Sequence, residues 1–250
     1  MKKAVYICLA FLAALTSCQK IDHAVNQSVT YYPAITLAGG STVAHQVGTP
    51  WRDPGVTALL QGTDITSQLI IDDQVDASTS GIYTVTYSYT NSDGFESNTV
   101  RTVVVYDVAN ASDVDIADNY NKATCVTVNA AGSVVRDWNS FLGSFNYTEK
   151  ITAGPGTGLF YIQDLLVGFY EYFYNGGYGS AYAYKAFVLL NKDNTFSLLN
   201  GDDIDPWGDP IDLREGVFSG YDPQTKSVTI AWHYGGASTY ITKYANEEEE

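Results

Sequence analysis

The chain has 250 residues, of which 45% are hydrophobic and 16% are charged. This composition is typical of a folded globular protein, and the length is sufficient for two domains. Acidic residues outnumber basic ones by 28 to 13, which gives a formal net charge of −15. Nucleic acids and anionic lipid surfaces bind basic protein faces, so this charge disfavours both as partners.

The N-terminus has the features of a cleavable export signal. Two lysines precede a short apolar segment, residues 4–15, which is too short to span a bilayer as a stable helix. The run Leu15-Thr16-Ser17-Cys18 follows, and it resembles the lipobox of bacterial lipoproteins. This resemblance implies that residues 1–17 are removed as a signal peptide and that Cys18 carries a lipid. The protein would then be anchored in the outer membrane and exposed at the cell surface. The alternative is an ordinary secretory leader in which the cysteine is incidental.

Residues 18–32 are polar and have no apolar period, so we predict a tether.

Cys125 is then alone, because Cys8 is lost with the leader and Cys18 is lipidated, and it cannot form an intramolecular disulfide. Valines on either side of Thr127 indicate a strand here. We predict a buried, unreactive thiol.

Residues 33–107 read as six or seven short strands separated by turn signals. The clearest pattern lies between residues 82 and 89, where tyrosine and valine alternate with small polar residues, as in a strand with one buried face. A turn at Asn91–Gly94 and a second apolar run at Val100–Val105 complete a hairpin. This spacing of strands and turns predicts a β-sandwich.

The same segment resembles a known family through motifs that occur in order. These are Pro33-x-Ile35-x-Leu37-x-Gly39-Gly40, Val47-Gly48, Asp53-Pro54-Gly55-Val56-x-Ala58, Asp64-Ile65-Thr66, Val75-Asp76, Gly81-x-Tyr83-Thr84-Val85-Thr86-Tyr87 and Arg101-Thr102-Val103-Val104-Val105. Together they resemble the bacterial Ig-like domain of surface proteins and pesticidal crystal proteins. In that family the domain is mostly a spacer or stalk, and the resemblance implies this role here. By their chemistry alone, Asp53-Pro54-Gly55 and Asp64 are turn residues.

A polar linker, residues 108–116, leads to a second predicted domain, residues 117–245, and an acidic tail, residues 246–250. Glycine, asparagine and aspartate turns recur every 8–12 residues in this domain. The apolar runs between them are Ala123–Val128, Phe145–Ile151, Leu159–Ile162, Ala181–Leu190, Thr195–Leu199, Ser227–Trp232 and Thr239–Lys243. This pattern predicts an antiparallel meander, either a β-barrel or a curved sandwich, so the whole chain is predicted to be all-β.

This second half carries a further resemblance. Its motifs are Gly158-Leu-Phe-Tyr-Ile-Gln-Asp164, the tyrosine-rich stretch 168–184, Trp207-Gly208-Asp209 and Tyr221-Asp-Pro-x-Thr-Lys. They resemble the C-terminal domain of uncharacterised Bacteroidota lipoproteins, which often carry the same Ig-like domain in front. Such proteins are commonly found with polysaccharide-utilisation systems. The resemblance implies a role in polysaccharide capture beside outer-membrane transporter partners, and no catalytic role is attached to the family.

Aromatic residues are concentrated between Phe160 and Phe187, with 11 rings in 28 residues. The turn signal Asn175-Gly176-Gly177 divides them, so we predict a hairpin of two aromatic strands. Aromatic faces stack on the apolar faces of sugar rings, and tyrosine adds a hydroxyl group for hydrogen bonds. The candidate ligand-binding residues are Tyr170, Tyr172, Tyr174, Tyr178, Tyr182 and Trp207. The alternative is that these rings only pack a core, because aromatic residues favour strands.

An acidic loop, residues 200–209, is a weak candidate for structural Ca²⁺, with Asp203, Asp205 and Asp209 as ligands. Its spacing does not match an EF-hand, and a solvated turn is the alternative. No other cofactor is predicted.

No catalytic constellation is evident in the sequence. The three histidines are far apart, and no nucleophile elbow or phosphate-binding loop occurs. Asp164, Glu171 and Glu215 are candidates for paired glycosidase carboxylates by residue type alone. We therefore predict a protein that is not an enzyme and binds glycan. A structural or adhesion module that binds a protein partner, and a glycan-active enzyme, are the two alternatives.

Overall fold

The structure is a computed structural model that describes residues 29–141, 146–199, 207–208, 210–234 and 238–247. The predicted signal peptide, Cys18 and most of the predicted tether lie outside these residues. The predicted cation ligands Asp203, Asp205 and Asp209 also lie outside them, so the cation site stays a prediction. Tyr32–Glu250 forms one compact unit.

Seven strands form the N-terminal sandwich, residues 34–106. They are β1 (Ala34–Leu37), β2 (Thr42–Gln46), β3 (Val56–Leu60), β4 (Thr63–Asp64), β5 (Ile70–Asp73), β6 (Gly81–Thr90) and β7 (Glu96–Tyr106). One sheet has the order β1-β3-β4 and the other has the order β2-β7-β6-β5. The pair β2 and β7 is parallel, and the other pairs are antiparallel.

The two sheets face each other across one apolar core. Its centre consists of four buried residues of the β6–β7 hairpin: Val85, Tyr87, Val103 and Val105. Ile35, Leu37 and Val56 of the smaller sheet pack against them. The alternation of tyrosine and valine along β6 places one set of side chains in this core, because successive residues of a strand point to opposite faces. The predicted sandwich and its long hairpin are thus confirmed.

Arg101 lies inside the N-terminal sandwich. Its side chain is fully buried and forms an ion pair with Asp53, with Nε 3.0 Å from Oδ2. Nε also donates to Tyr87 Oη at 3.1 Å. The Nη atoms donate at 2.7–2.8 Å to three main-chain carbonyl groups, those of Ala38, Gly40 and Gly55. One side chain therefore ties the turns that follow β1 and precede β3 to the central strand β7.

In the C-terminal sandwich, residues 118–245, the described ranges contain eleven strands. They are β8 (Asp118–Tyr120), β9 (Lys122–Val128), β10 (Val134–Asp137), β11 (Glu149–Ala153), β12 (Leu159–Ile162), β13 (Ala186–Leu190), β14 (Phe196–Leu198), β15 (Ile211–Leu213), β16 (Gly220–Asp222), β17 (Ser227–Tyr234) and β18 (Thr239–Ala245). One sheet has the order β10-β9-β18-β17-β15, and β16 also pairs with β17. The other has the order β14-β13-β12-β11-β8. The pairs within both sheets are antiparallel.

Both of these sheets contribute to a single core. Cys125, Ile230 and Trp232 come from the first sheet, and Ile162 and Val188 come from the second. Neither sheet closes into a barrel over the described residues, so of the two predicted architectures the structure has the sandwich. The all-β prediction is confirmed.

Helical structure in the described ranges is limited to short turns. These are 3₁₀ turns at Thr66–Gln68, Val108–Asn110, Tyr174–Gly176 and Ser180–Tyr182, and a π-helical turn at Phe169–Phe173. Across those same ranges, no helix is long and apolar enough to cross a membrane.

The predicted linker is held against the C-terminal sandwich. Ser112 N donates to Leu190 O, and Lys192 N donates to Asn110 O, each at 2.9 Å. Ala111 forms an isolated β-bridge with Asn191. A small apolar cluster lies beside these bonds and contains residues of both sandwiches: Val104, Tyr106, Ala111, Leu159, Leu189 and Leu199. The two sandwiches are therefore joined by hydrogen bonds and by buried apolar surface as well as by the chain itself.

Candidate functional site

The tyrosine-rich segment that follows β12 folds as consecutive helical turns. The π-helical turn Phe169–Phe173 leads directly into the 3₁₀ turn Tyr174–Gly176. A further 3₁₀ turn follows at Ser180–Tyr182. The prediction of two aromatic strands joined by a hairpin is therefore wrong.

Backbone geometry explains this difference. Gly168 has φ = 75°, and a Cβ atom there would lie 2.6 Å from the ring of Tyr147. Gly177 has φ = 86°, and a Cβ atom there would lie 2.6 Å from the carbonyl oxygen of Glu171. Glycine adopts these left-handed conformations at little cost, so both positions permit tight turns. A strand would also have pointed aromatic rings to both of its faces, whereas the turns bury Phe169 in the core.

Asp164 fixes both ends of this segment. Its side chain is fully buried, and Oδ1 accepts hydrogen bonds from the main-chain N–H groups of Leu166 at 2.8 Å and Tyr184 at 3.1 Å. Oδ2 accepts from the N–H group of Gly168 at 3.0 Å. Burial raises the pKa of Asp164 to about 7, and the three main-chain donors oppose that rise. The carboxyl group therefore organises the loop from within the core.

Five of the predicted ligand-binding residues line one open depression of about 600 Å³. They are Tyr170, Tyr174, Tyr178, Tyr182 and Trp207. The ring centroids of Tyr170 and Trp207 are 4.8 Å apart, and those of Tyr182 and Trp207 are 5.7 Å apart. The rings of Tyr170 and Tyr178 are nearly parallel, with an interplanar angle of 11°. We call this site the aromatic depression.

Two of these rings are notably accessible to solvent. Trp207 is 53% exposed and Tyr178 is 43% exposed. Beneath them lies a buried layer that includes Phe169, which stacks on Tyr174 with centroids 5.5 Å apart. The exposed rings are therefore supported by packed ones and offer fixed apolar faces to a ligand.

Tyr172, the sixth predicted residue, lies elsewhere. It packs against Tyr147 with ring centroids 6.1 Å apart and does not line the aromatic depression. It lies two positions along the chain from both Tyr170 and Tyr174, so the helical turn points it in another direction. It is nevertheless 50% exposed, close to the value for Trp207, which makes it a matched control for mutations.

Four further residues, which the sequence did not predict, also line the depression: Arg136, Trp138, Phe141 and Phe169. Arg136 lies on β10, and its guanidinium carbon is 4.9 Å from the ring centroid of Trp138 and 4.8 Å from that of Phe141. The short run Arg136-Asp137-Trp138 was the available signal. The run lies at the depression only because Trp138 packs against Phe169, with ring centroids 4.7 Å apart. This contact joins residues 31 positions apart in the sequence, so the run alone does not predict it.

Two further carboxyl groups lie in the core near Asp164. Glu149 is fully buried and accepts hydrogen bonds from the main-chain N–H groups of Gln163 at 2.5 Å and Asp164 at 3.3 Å. Burial raises the pKa of Glu149 to about 8. Glu171 is 4% exposed, and its Oε2 has no hydrogen-bond partner among the described residues. Neither these carboxyl groups nor Glu215 line the aromatic depression, so the part of its lining that the structure describes lacks the paired carboxylates that a glycosidase uses.

These raised pKa values predict a loss of stability as the pH rises. In the folded chain the pKa is about 8 for Glu149 and about 7 for Asp164, whereas the ordinary pKa values are 4.5 and 3.8. At pH values between the ordinary and the raised pKa, the folded chain therefore binds more protons than the unfolded chain. We expect the free energy of unfolding to be at least about 1 kcal/mol lower at about pH 8.5 than at about pH 5.5. Urea unfolding at several pH values measures this. Glu149→Gln should reduce the slope, and stability that rises across this range would contradict the prediction.

Cys125 is fully buried, as predicted, and burial raises the pKa of its thiol to about 12, so the thiol is unreactive. Over the described ranges, no cluster of three or more His, Cys, Asp or Glu residues is placed to hold a metal ion.

A family model matches the N-terminal sandwich. Residues 35–105 match the model described as the Ig-like domain of bacterial surface proteins. This segment is similar to that domain, and we refer to it as the surface Ig-like domain. The surface Ig-like domain corresponds to strands β1–β7, and the resemblance drawn from its turn and core residues is confirmed. Residues 131–245 match a second family model, described as a C-terminal domain, which spans β10 to β18 and includes the residues of the aromatic depression.

Similar solved structures include a lipoprotein from Bacteroides thetaiotaomicron. It is 28% identical, with a TM-score of 0.40, and the match covers 86% of this chain and all of that one. Two structures of ZmpB from Clostridium perfringens are each 17% identical. One is the M60 catalytic domain with CBM51-1 and CBM51-2. Its TM-score is 0.29, and the match covers 87% of this chain and 21% of that one. The other, of CBM51-2 in complex with GlcNAc and INT domains, has a TM-score of 0.28 and coverages of 88% and 45%. No curated protein matches the chain.

Proposed function

We propose that this protein is a non-catalytic glycan-binding lipoprotein of the bacterial cell surface and that the aromatic depression is its binding site. The observation that carries this proposal is the depression itself. Eight aromatic side chains from three described segments of the chain line a volume of about 600 Å³, which is large enough for a sugar residue or more. Sugar rings present C–H faces that stack on aromatic rings, and tyrosine hydroxyl groups bond to sugar hydroxyl groups.

The packing around the depression supports binding. The rings contact one another at centroid distances of 4.8–6.4 Å, so they are held in place before a ligand arrives. Side chains that are ordered in advance lose little conformational entropy on binding. Trp207 and Tyr178 keep about half of their surface in solvent, so their faces are accessible to a ligand.

The remaining parts of the chain have roles consistent with this proposal. Lipid on Cys18 would anchor the protein in the outer membrane, and the surface Ig-like domain would act as a spacer. The docked linker makes that spacer stiff, because Ser112 is bonded to Leu190 of β13 and Asn110 is bonded to Lys192 just beyond that strand. A glycan held in the depression would be presented away from the membrane, where outer-membrane transporter partners would receive it.

We expect Trp207→Ala to weaken glycan binding by about tenfold or more, because it removes an exposed stacking face from the centre of the depression. The glycan is first identified on a polysaccharide array, and affinities are then measured by calorimetric titration. Tyr172→Ala is the matched control and should bind as the wild type does. If no polysaccharide binds, or if both variants lose affinity equally, the proposed function is wrong.

One observation favours a protein partner as the second candidate. β10 is an edge strand, and Val134 and Val135 are 59% and 60% exposed on it. Exposed edge strands with apolar side chains are sites where another chain adds a strand. If no glycan on the array binds and Val135→Lys reduces cell adhesion, binding of a protein partner is favoured over binding of a glycan.

A further inference from the structure

We infer that the glycan bound in the aromatic depression is acidic and that Arg136 binds its carboxylate group. The inference rests on the proposed function and adds the chemical class of the ligand. It follows from the charge, the partners and the orientation of one side chain.

Among the described residues that line the depression, Arg136 is the charged one and the others are aromatic. Arginine is uncommon in this acidic chain, where 28 acidic residues face 13 basic ones. Within the described ranges Arg136 has no ion pair, and Arg101 is the arginine that does. The neighbouring carboxylate of Asp137 is already engaged, because it accepts hydrogen bonds from the N–H groups of Asn139 at 3.0 Å and Ser140 at 3.3 Å. An exposed cation is therefore left at the site without a carboxylate from the described part of the chain.

The position of the guanidinium group suits recognition of an anion. Its carbon lies 4.9 Å from the ring centroid of Trp138 and 4.8 Å from that of Phe141, within the range of a cation–π contact. The N–H donors of a guanidinium group lie in its plane and remain available at its edge. Trp138 is 5% exposed and anchored against Phe169, so the platform under the cation is rigid. A side chain held in this way loses little entropy when it binds.

A uronic acid residue matches both parts of the site. Its ring has an apolar face for stacking, and its carboxylate accepts two parallel hydrogen bonds from arginine. A neutral sugar would satisfy the aromatic rings alone. Among the described residues that line the depression, Arg136 carries the positive charge and Trp207 offers an exposed ring, so we assign the carboxylate to Arg136 and the apolar face of the sugar to Trp207.

The test compares acidic oligosaccharides with their uncharged methyl esters. One such pair is tetragalacturonate and its methyl ester. These probes differ in charge and share ring and linkage. The full chain is titrated with each, and we expect the acid to bind about tenfold more tightly than the ester. Arg136→Met keeps the apolar stem and should bind both forms with the affinity of the wild type for the ester. Lys150→Met, which removes an exposed charge from β11 in the same sandwich, should leave the preference intact.

The outcomes separate this inference from the proposed function. Equal binding of acids and esters across the pairs, or an unchanged preference in Arg136→Met, would overturn the inference and leave glycan binding standing. Tighter binding of the esters would overturn it as well. If no oligosaccharide binds in either form, the proposed function fails, and the inference fails with it.

Discussion

Arg101→Met is expected to destabilise the surface Ig-like domain by about 3–5 kcal/mol. The variant leaves the carboxylate of Asp53 without its ion-pair partner and the carbonyl groups of Ala38 and Gly40 without the donors that Arg101 supplies. The carbonyl group of Gly55 loses one of its two donors. A buried polar group that loses its partner costs about 1–3 kcal/mol, and single domains are stable by only about 5–15 kcal/mol. The domain would therefore lose a large part of its stability. Arg101→Lys should recover little, because one ammonium group cannot reach all of these acceptors.

Urea unfolding, together with hydrogen exchange of the amides of β6 and β7, measures this loss within the domain where it occurs. Arg52→Met is the control, because Arg52 is exposed and adjacent to the same aspartate, and it should change stability by less than about 0.5 kcal/mol. A double-mutant cycle with Asp53→Ala isolates the ion pair, since the two losses should not add. Wild-type protection of Val103 and Val105 in Arg101→Met would show that the network is not required.

Local patterns in the sequence predicted much of the fold. β12 has the predicted bounds, Leu159–Ile162, because its apolar run is flanked on both sides by turn residues. The β6–β7 hairpin was also predicted, because one of its faces is buried and the pattern therefore has a period of two. The Arg101–Asp53 pair was not predicted. The turn chemistry of Asp53 was visible, but the pairing joins residues 48 positions apart and depends on how the two sheets pack.

The candidate site shows the same limit. Composition singled out the tyrosines, and five of the six predicted residues meet in one depression. Their secondary structure was wrong, because a buried carboxylate and two left-handed glycines override the strand preference of aromatic residues. The sequence could not predict that Arg136 and Trp138 line the depression, because β10 and the residue after it contact the tyrosine-rich segment only in the folded chain. The residue types thus predicted an aromatic site, and long-range packing determined which residues line it.

Stability and ligand binding are coupled through Asp164. We expect Asp164→Ala to cost about 3–5 kcal/mol of unfolding free energy, because the N–H groups of Leu166, Gly168 and Tyr184 lose a buried acceptor. Gly168 and Tyr184 flank the segment that carries four of the tyrosines of the aromatic depression. The variant should therefore also weaken glycan binding, although Asp164 does not line the depression. Urea unfolding measures the first effect, and near-ultraviolet circular dichroism of the aromatic rings detects their rearrangement.

Asp193→Ala is the matched control for this prediction. Asp193 also accepts a hydrogen bond from a main-chain N–H group two residues ahead, that of Thr195 at 3.0 Å, but it is exposed to solvent. Water can replace the lost acceptor there, so we expect a cost below about 1 kcal/mol and an unchanged aromatic spectrum. Asp164→Asn should fall between the two, because one oxygen still serves Leu166 and Tyr184 while its NH₂ group opposes the N–H of Gly168. Equal costs for Asp164→Ala and Asp193→Ala would mean that the buried carboxyl group does not organise the segment, and the aromatic depression would then depend on ring packing alone.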